Sequence, residues 1–241
     1  MITPRLDPDP AMPRVLVEVA IDSVAAGLAA VSAGADRLEL CRVLSAGGLS
    51  PDPEWVRQLK AEVGVPVFAM VRPRPGPFCF SPDELSCCRK EIRALHLAGA
   101  DGVVTGVLTE AGRLDEPALR ELIDVAGSLP VTFHRAFDEL TDLIEGLERL
   151  IGLGVTRVLT SGGPGRALDG AEMIRELVDR AGDRSRLIAG GGVRGDHVAR
   201  LVAMTGVSEV HLAGVRASGV EAMGEPAPEQ VAAMVAALRS G

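Results

Sequence analysis

Four ionisable side chains interrupt apolar segments of the sequence, and they are candidate catalytic groups: Glu18, Glu39, His134 and His211. An imidazole exchanges protons near neutral pH, and a carboxylate can serve as its partner. Arginines in the same part of the chain could hold a ligand's negative charge through charge-assisted hydrogen bonds, namely Arg72, Arg74 and Arg135. These residues predict acid and base chemistry on a small anionic metabolite that bears a phosphate or a carboxylate.

Glycine-rich segments point to the same kind of ligand. Three glycines in IAGGGVRGDHV directly precede a helix that we expect to begin near Arg194, and TSGGPGRA (160–167) begins with Thr160. A helix N-terminus offers free N–H groups to an anion, although glycines also serve tight turns for steric reasons alone. A further glycine, Gly214, follows the last apolar run. The candidate ligand-binding residues are therefore Thr160, Gly190, Gly191, Gly192 and Gly214.

Several other chemistries are excluded. Both lysines, Lys60 and Lys90, lie in predicted helices, so we expect neither a Schiff-base lysine nor PLP. No GxGxxG follows the first apolar run, and therefore no nucleotide cofactor is expected. With 25 basic and 33 acidic residues, the net charge of −8 argues against a nucleic-acid partner.

A soft-metal site remains an alternative. Cys41 and Met70 lie near the predicted positions of two histidines, and thiolate, thioether and imidazole ligands suit Cu(I). Cysteine is also commonly a small buried apolar residue. The four cysteines contain no CxxC pair, which predicts free thiols in a reducing compartment.

The elements that must position these residues follow an eightfold alternation. Eight β-rich runs, each followed by a segment of helical periodicity, cover residues 15–20, 36–41, 66–72, 100–106, 130–135, 155–161, 186–192 and 207–213. Eight such units in this length predict a single (β/α)8 TIM barrel in the α/β class. Polar strand residues should face the barrel lumen near its carboxyl-end mouth, which predicts that seven side chains meet there: Glu18, Glu39, Arg72, Thr105, His134, Thr160 and His211.

The domain organisation is simple. We expect an N-terminal extension over residues 1–14 and one barrel domain over residues 15–241. No segment approaches the ~20 apolar residues of a membrane span, and the Pro-rich start is not a signal sequence. The sequence predicts a soluble, cytoplasmic protein without a membrane partner.

Several segments, in order from about residue 15 to 216, resemble the CutC family of copper homeostasis proteins: DRLELC, GGLSP, RPRPGPF, VTFHRAFD and VLTSG. The resemblance implies a TIM barrel, a cytoplasmic homo-oligomer and copper binding, and it adds Asp138 to the mouth residues. Copper proposals for the family use cysteines at the ends of the first two strands. Cys41 matches the second cysteine, whereas Ala20 stands in the place of the first.

Two functions therefore compete. One is a copper homeostasis protein that binds Cu(I) through Cys41. The other is a barrel enzyme that acts on a small anion. The retained acids, bases and arginines favour the enzyme, and the family resemblance favours copper.

Overall fold

The computed structural model describes residues 14–215, 223–224 and 226–239, and eight of its strands form one closed parallel barrel. The strands are β1 (Leu16–Ile21), β2 (Arg37–Leu40), β3 (Val67–Met70), β4 (Gly102–Thr105), β5 (Val131–Phe133), β6 (Arg157–Thr160), β7 (Arg186–Ala189) and β8 (Glu209–Leu212). Each strand pairs with the next, and β1 closes the barrel by pairing with β8. The predicted TIM barrel is confirmed.

Eight helices follow the strands around the barrel: α1 (Val24–Ser32), α2 (Pro53–Glu62), α3 (Pro82–Leu97), α4 (Glu116–Ala126), α5 (Leu143–Gly152), α6 (Ala171–Ala181), α7 (Val198–Thr205) and α8 (Pro228–Arg239). Several of these helices have an N-cap residue whose side chain accepts a hydrogen bond from the first turn. At α3 the Ser81 hydroxyl and the Glu84 carboxylate form a capping box. None of the described helices is long and apolar enough to cross a membrane.

Two short elements contribute to the carboxyl-end mouth. A 3-10 helix at Leu44–Ala46 follows β2, and a second one at Arg135–Glu139 follows β5. A two-stranded antiparallel sheet of β9 (Gly214–Val215) and β10 (Met223–Gly224) follows β8. Residues 1–13 of the predicted extension lie outside the described residues.

Strand alternation separates two apolar layers. One face of each strand packs under the helices, where Val103, Leu119 and Phe133 are fully buried. The other face fills the lumen with a smaller cluster of Ala20, Cys41, Leu44, Phe68, Met70 and Val104. Full burial of one such large side chain is worth about 1.5–3 kcal/mol, so both layers stabilise the barrel.

Two of the seven side chains that were predicted to face the lumen do not face it, as the alternation of the strands shows. Val104 lies in the lumen cluster and Leu159 lines the mouth, so their neighbours Thr105 and Thr160 point the other way. The Thr105 hydroxyl instead donates to the Val71 carbonyl, 3.1 Å away. A threonine can satisfy its hydroxyl on a nearby acceptor, and polarity alone therefore does not place it in the lumen.

Candidate functional site at the barrel mouth

The bottom of the lumen is filled by a charged cluster, which we call the lumen floor: Glu18, Arg37, Phe68, Arg157 and Glu209. The Arg37 guanidinium donates to Glu18 Oε2 and Glu209 Oε2, each at 2.5 Å. The ring of Phe68 contacts two guanidinium groups, with Arg37 Cζ at 5.1 Å and Arg157 Cζ at 4.5 Å from its centroid. The floor is thus an ion network stacked on an aromatic ring.

Glu18 connects this floor to the mouth. Its second oxygen, Oε1, lies 2.7 Å from Nδ1 of His211, with which it pairs across β1 and β8. Burial opposes ionisation of Glu18, but Arg37 and the His211 hydrogen bond outweigh it and lower the pKa of this carboxyl to about 2. For His211, burial opposes the charge, whereas Glu39 and Glu18 raise its pKa. Glu18 therefore orients His211 through a hydrogen bond, and together with Glu39 it favours the charged form of the imidazole.

Glu39 lies beside this pair with an unused oxygen. Its Oε1 accepts a hydrogen bond from the Cys41 thiol at 3.5 Å, and its buried Oε2 has no partner among the described residues. Burial raises the pKa of Glu39. Atoms of Glu18, Glu39 and His211 lie within 4.8 Å of one another, close enough to share a metal ion. Both Glu18 oxygens already have partners, which makes this trio a weak hard-metal site.

A thiol and a thioether lie together in the lumen. A Cβ placed on Gly48 would be 3.0 Å from Cys41 Sγ and 3.4 Å from the terminal methyl carbon Cε of Met70, so both side chains pack against the same glycine. Burial raises the pKa of the Cys41 thiol well above its usual range, and Glu39 adds to this effect. Ala20 belongs to the same lumen cluster, and the cluster accordingly offers one thiol.

His134 follows β5 and begins the second 3-10 helix. Its Nδ1 accepts a hydrogen bond from the backbone N–H of Ala136 at 3.1 Å. Its buried Nε2 has no partner among the described residues. Burial and the nearby Arg72 charge lower the pKa of His134 to about 3.

A hydrogen-bond network holds Arg135 at the edge of the mouth. Arg135 Nε donates to Asp138 Oδ2 at 2.8 Å, and one terminal nitrogen donates to the Ser161 hydroxyl at 2.8 Å. Asp138 also accepts from the Thr160 hydroxyl at 2.5 Å and from the Ser161 backbone N–H at 3.1 Å. Thr160 and Asp138 are thus placed to position Arg135.

These groups open onto a cleft of about 420 Å³, which we call the mouth cleft. Its polar lining brings together four of the predicted residues, Glu39, His134, Arg135 and His211. Two further arginines, Arg166 and Arg194, also line it and were missed by the sequence reasoning. Each comes shortly after a glycine run, GGPGR or GGGVR, and this was the available signal.

Arg72 and Arg74 are placed differently from the expectation. The Arg72 guanidinium donates to the carbonyl oxygens of Ala46, Gly47, Gly48 and Gly76 at 2.8–3.4 Å. Arg74 donates to Glu84 and to the carbonyls of Pro75, Pro77 and Cys79. Neither is among the cleft-lining residues, so both tie loops together instead of facing the ligand space.

The prediction that the glycine loop after β7 leads directly into a helix is wrong. α7 begins at Val198 and not near Arg194, so Gly190, Gly191 and Gly192 do not lead directly into a helix N-terminus. Gly191 and Gly192 line the cleft, and Gly191 has a φ of +100°. A side chain on Gly191 would lie 3.1 Å from an Arg135 nitrogen, which explains the need for glycine beside this arginine. Gly214 lies in β9, opposite Gly224.

Comparisons with known proteins agree with this architecture. The family model described as CutC family matches residues 15–216. A CutC family protein of Caulobacter vibrioides is 44% identical over 198 residues, which cover 82% of this chain and 80% of the relative. The human copper homeostasis protein cutC homolog is 42% identical over 196 residues, covering 81% and 72% of the two chains. A crystal structure of a CutC protein from Streptococcus agalactiae superposes with a TM-score of 0.77 at 28% identity, covering 82% of this chain and 97% of that chain.

Proposed function

Because the chain belongs to the CutC family, we propose that it acts in copper homeostasis, as the names of its relatives indicate, by binding Cu(I) as cargo beneath the mouth cleft. The observation that carries this proposal is that Cys41 and Met70 lie in one lumen cluster and pack against the same glycine, Gly48. Thiolate and thioether sulfurs are the ligands that select Cu(I) over harder ions. His211 lines the same cleft and offers an imidazole as a third ligand.

Among the described residues, the lumen cluster contains one thiol, Cys41, and the residue that β1 contributes to the cluster is Ala20. Cu(I) affinity should therefore be modest. It should rise when Ala20→Cys adds a second soft ligand within the cluster, since thiolates contribute most to Cu(I) binding.

Anaerobic competition titrations with a chromogenic Cu(I) chelator test this proposal. Cys41→Ser should abolish stoichiometric binding and Met70→Leu should weaken it. The matched control is Cys87→Ser, which removes an exposed thiol on α3 and should change nothing. Binding that survives Cys41→Ser, or that Ala20→Cys does not strengthen, would contradict a Cu(I) site in the lumen.

A second function is favoured by a different observation, the three arginines of the mouth cleft. Arg135, Arg166 and Arg194 line it together with a carboxylate and two imidazoles. Arg166 has no ion-pair partner in the part of the chain that the structure describes. We therefore propose, as an alternative, an enzyme that binds a small anionic metabolite through these arginines and moves protons with Glu39 and His211.

Thermal-shift measurements with inorganic phosphate, sulfate and small organic acids test this alternative. A ligand that binds the folded state stabilises it by about 2.7 kcal/mol at a hundredfold excess over its dissociation constant. Arg166→Ala should reduce that stabilisation, whereas Arg57→Ala on α2, an exposed arginine paired with Glu54, should not. Equal shifts in both variants, or no shift with any anion, would refute anion binding at the cleft.

A further inference from the structure

We infer that the anion bound in the mouth cleft also carries a carbonyl oxygen, and that the Nε2–H group of His134 donates a hydrogen bond to it. The inference rests on the anion-binding alternative above and names its substrate class, a phosphorylated or carboxylated carbonyl compound. Two features of the imidazole carry it, its fixed tautomer and its unpartnered nitrogen.

The tautomer of His134 follows from one contact. The Ala136 N–H donates to Nδ1 at 3.1 Å, so Nδ1 presents its lone pair. A neutral imidazole with an acceptor at Nδ1 carries its proton on Nε2. Burial and the Arg72 charge lower the pKa of the ring to about 3, in agreement with a ring that stays neutral at physiological pH.

The donor at Nε2 has no acceptor among the described residues, although His134 is only 4% exposed. An unpaired buried donor has lost its hydrogen bonds to water and has gained none in exchange, which is unfavourable. A fold tolerates such a cost where a bound ligand supplies the missing partner. His134 lines the mouth cleft, which is the space from which that partner can come.

The ring cannot turn to find another partner. A Cβ on Gly106 would lie 2.4 Å from Cε1 of His134, so the ring packs directly on the backbone of this glycine, which follows the end of β4. The ring of Phe78 covers it with a centroid distance of 4.6 Å. Arg72 Cζ lies in turn 4.7 Å from the Phe78 centroid. The donor is therefore held in one orientation before any ligand arrives.

The chemistry of the donor indicates the chemistry of the acceptor. A neutral imidazole N–H can polarise a carbonyl group and stabilise negative charge on its oxygen without giving up a proton. Arg135, the next residue, lines the same cleft and supplies positive charge for an anionic group on the ligand. Glycerol 3-phosphate lacks a carbonyl but is otherwise close to dihydroxyacetone phosphate, so the two form a matched pair of probes.

Binding selectivity is the first measurement. We expect the wild-type protein to bind dihydroxyacetone phosphate about tenfold or more tightly than glycerol 3-phosphate, because the alcohol satisfies the fixed donor less well. In His134→Leu this ratio should fall towards one while inorganic phosphate binds as before. If the ketone and the alcohol bind the wild type equally, the carbonyl inference fails while the anion site stands. If none of the three probes binds, both proposals fail.

Nitrogen NMR of the wild-type imidazole is the second measurement and needs no variant. The free protein should show His134 as the neutral Nε2–H tautomer throughout pH 5–8, and its Nε2 resonance should move when dihydroxyacetone phosphate is added. An Nδ1–H tautomer, a ring that titrates within this range, or an Nε2 resonance that the bound ketone leaves unchanged would each overturn the assignment.

Discussion

Replacing Glu18 with glutamine removes the carboxylate that joins Arg37 to His211 in the barrel lumen. The pKa of Glu18 falls from its ordinary value of 4.5 to about 2 because Arg37 and His211 outweigh the cost of burial. At about 1.4 kcal/mol per pH unit, this fall corresponds to about 3 kcal/mol of folding free energy. We therefore expect Glu18→Gln to lower the free energy of unfolding by about 3 kcal/mol at pH 7, in the range measured for broken buried ion pairs.

The pH dependence identifies the source of the loss. Because the folded-state pKa lies below the unfolded-state value, the stabilisation is complete above pH 4.5 and is lost as the pH falls through about 2. Urea unfolding of the wild type and the variant between pH 7 and pH 3 should give a difference that shrinks to about half at pH 3. Glu54→Gln is the control, since it breaks an exposed pair worth ~0–1 kcal/mol.

Two results would refute this reasoning. One is a difference below about 1 kcal/mol at pH 7, which would mean that the network contributes little beyond its desolvation cost. The other is a difference that stays constant down to pH 3, because a loss unrelated to the carboxylate charge would not follow its titration.

Three further predictions follow from individual contacts. Thr160→Val should cost about 1–2 kcal/mol in urea unfolding, because Asp138 loses a buried donor at 2.5 Å; an unchanged midpoint would contradict this. Gly106→Ala should destabilise the protein by about 1–3 kcal/mol and move the His134 resonances, since the ring lies within 2.4 Å of the added carbon; unmoved resonances would count against it. In the native protein Cys41 should resist iodoacetamide at pH 8, because burial raises its thiol pKa, and rapid labelling of its peptide by mass spectrometry would show otherwise.

Strand alternation made much of the site predictable. Glu18, Glu39 and His211 interrupt apolar runs at positions whose side chains do face the lumen, and desolvating a charge is costly enough that this signal is strong. Thr160 shows the limit of the same rule. A threonine hydroxyl that donates a hydrogen bond to Asp138 can point away from the lumen at little cost. The polarity of a threonine therefore does not predict which way its side chain points.

Strand alternation does not predict the geometry of the loops. Arg72 lies close to a strand end, a position that predicts a ligand-facing side chain, but carbonyl groups of two loops accept hydrogen bonds from its terminal nitrogens. Arg166 and Arg194 reach the cleft from loops after β6 and β7, whose paths depend on glycines with positive φ. No strand period determines where such a loop directs its side chains.

The lumen floor has a consequence for how ligands enter and leave the barrel. Arg37 and Phe68 are almost fully buried and, with Glu18 and Glu209, fill the amino end of the barrel. A molecule or ion that enters the barrel through the mouth cleft must therefore leave through the same opening. Cu(I) and an organic anion would then share this single route, and a bound molecule of either kind should slow the dissociation of the other.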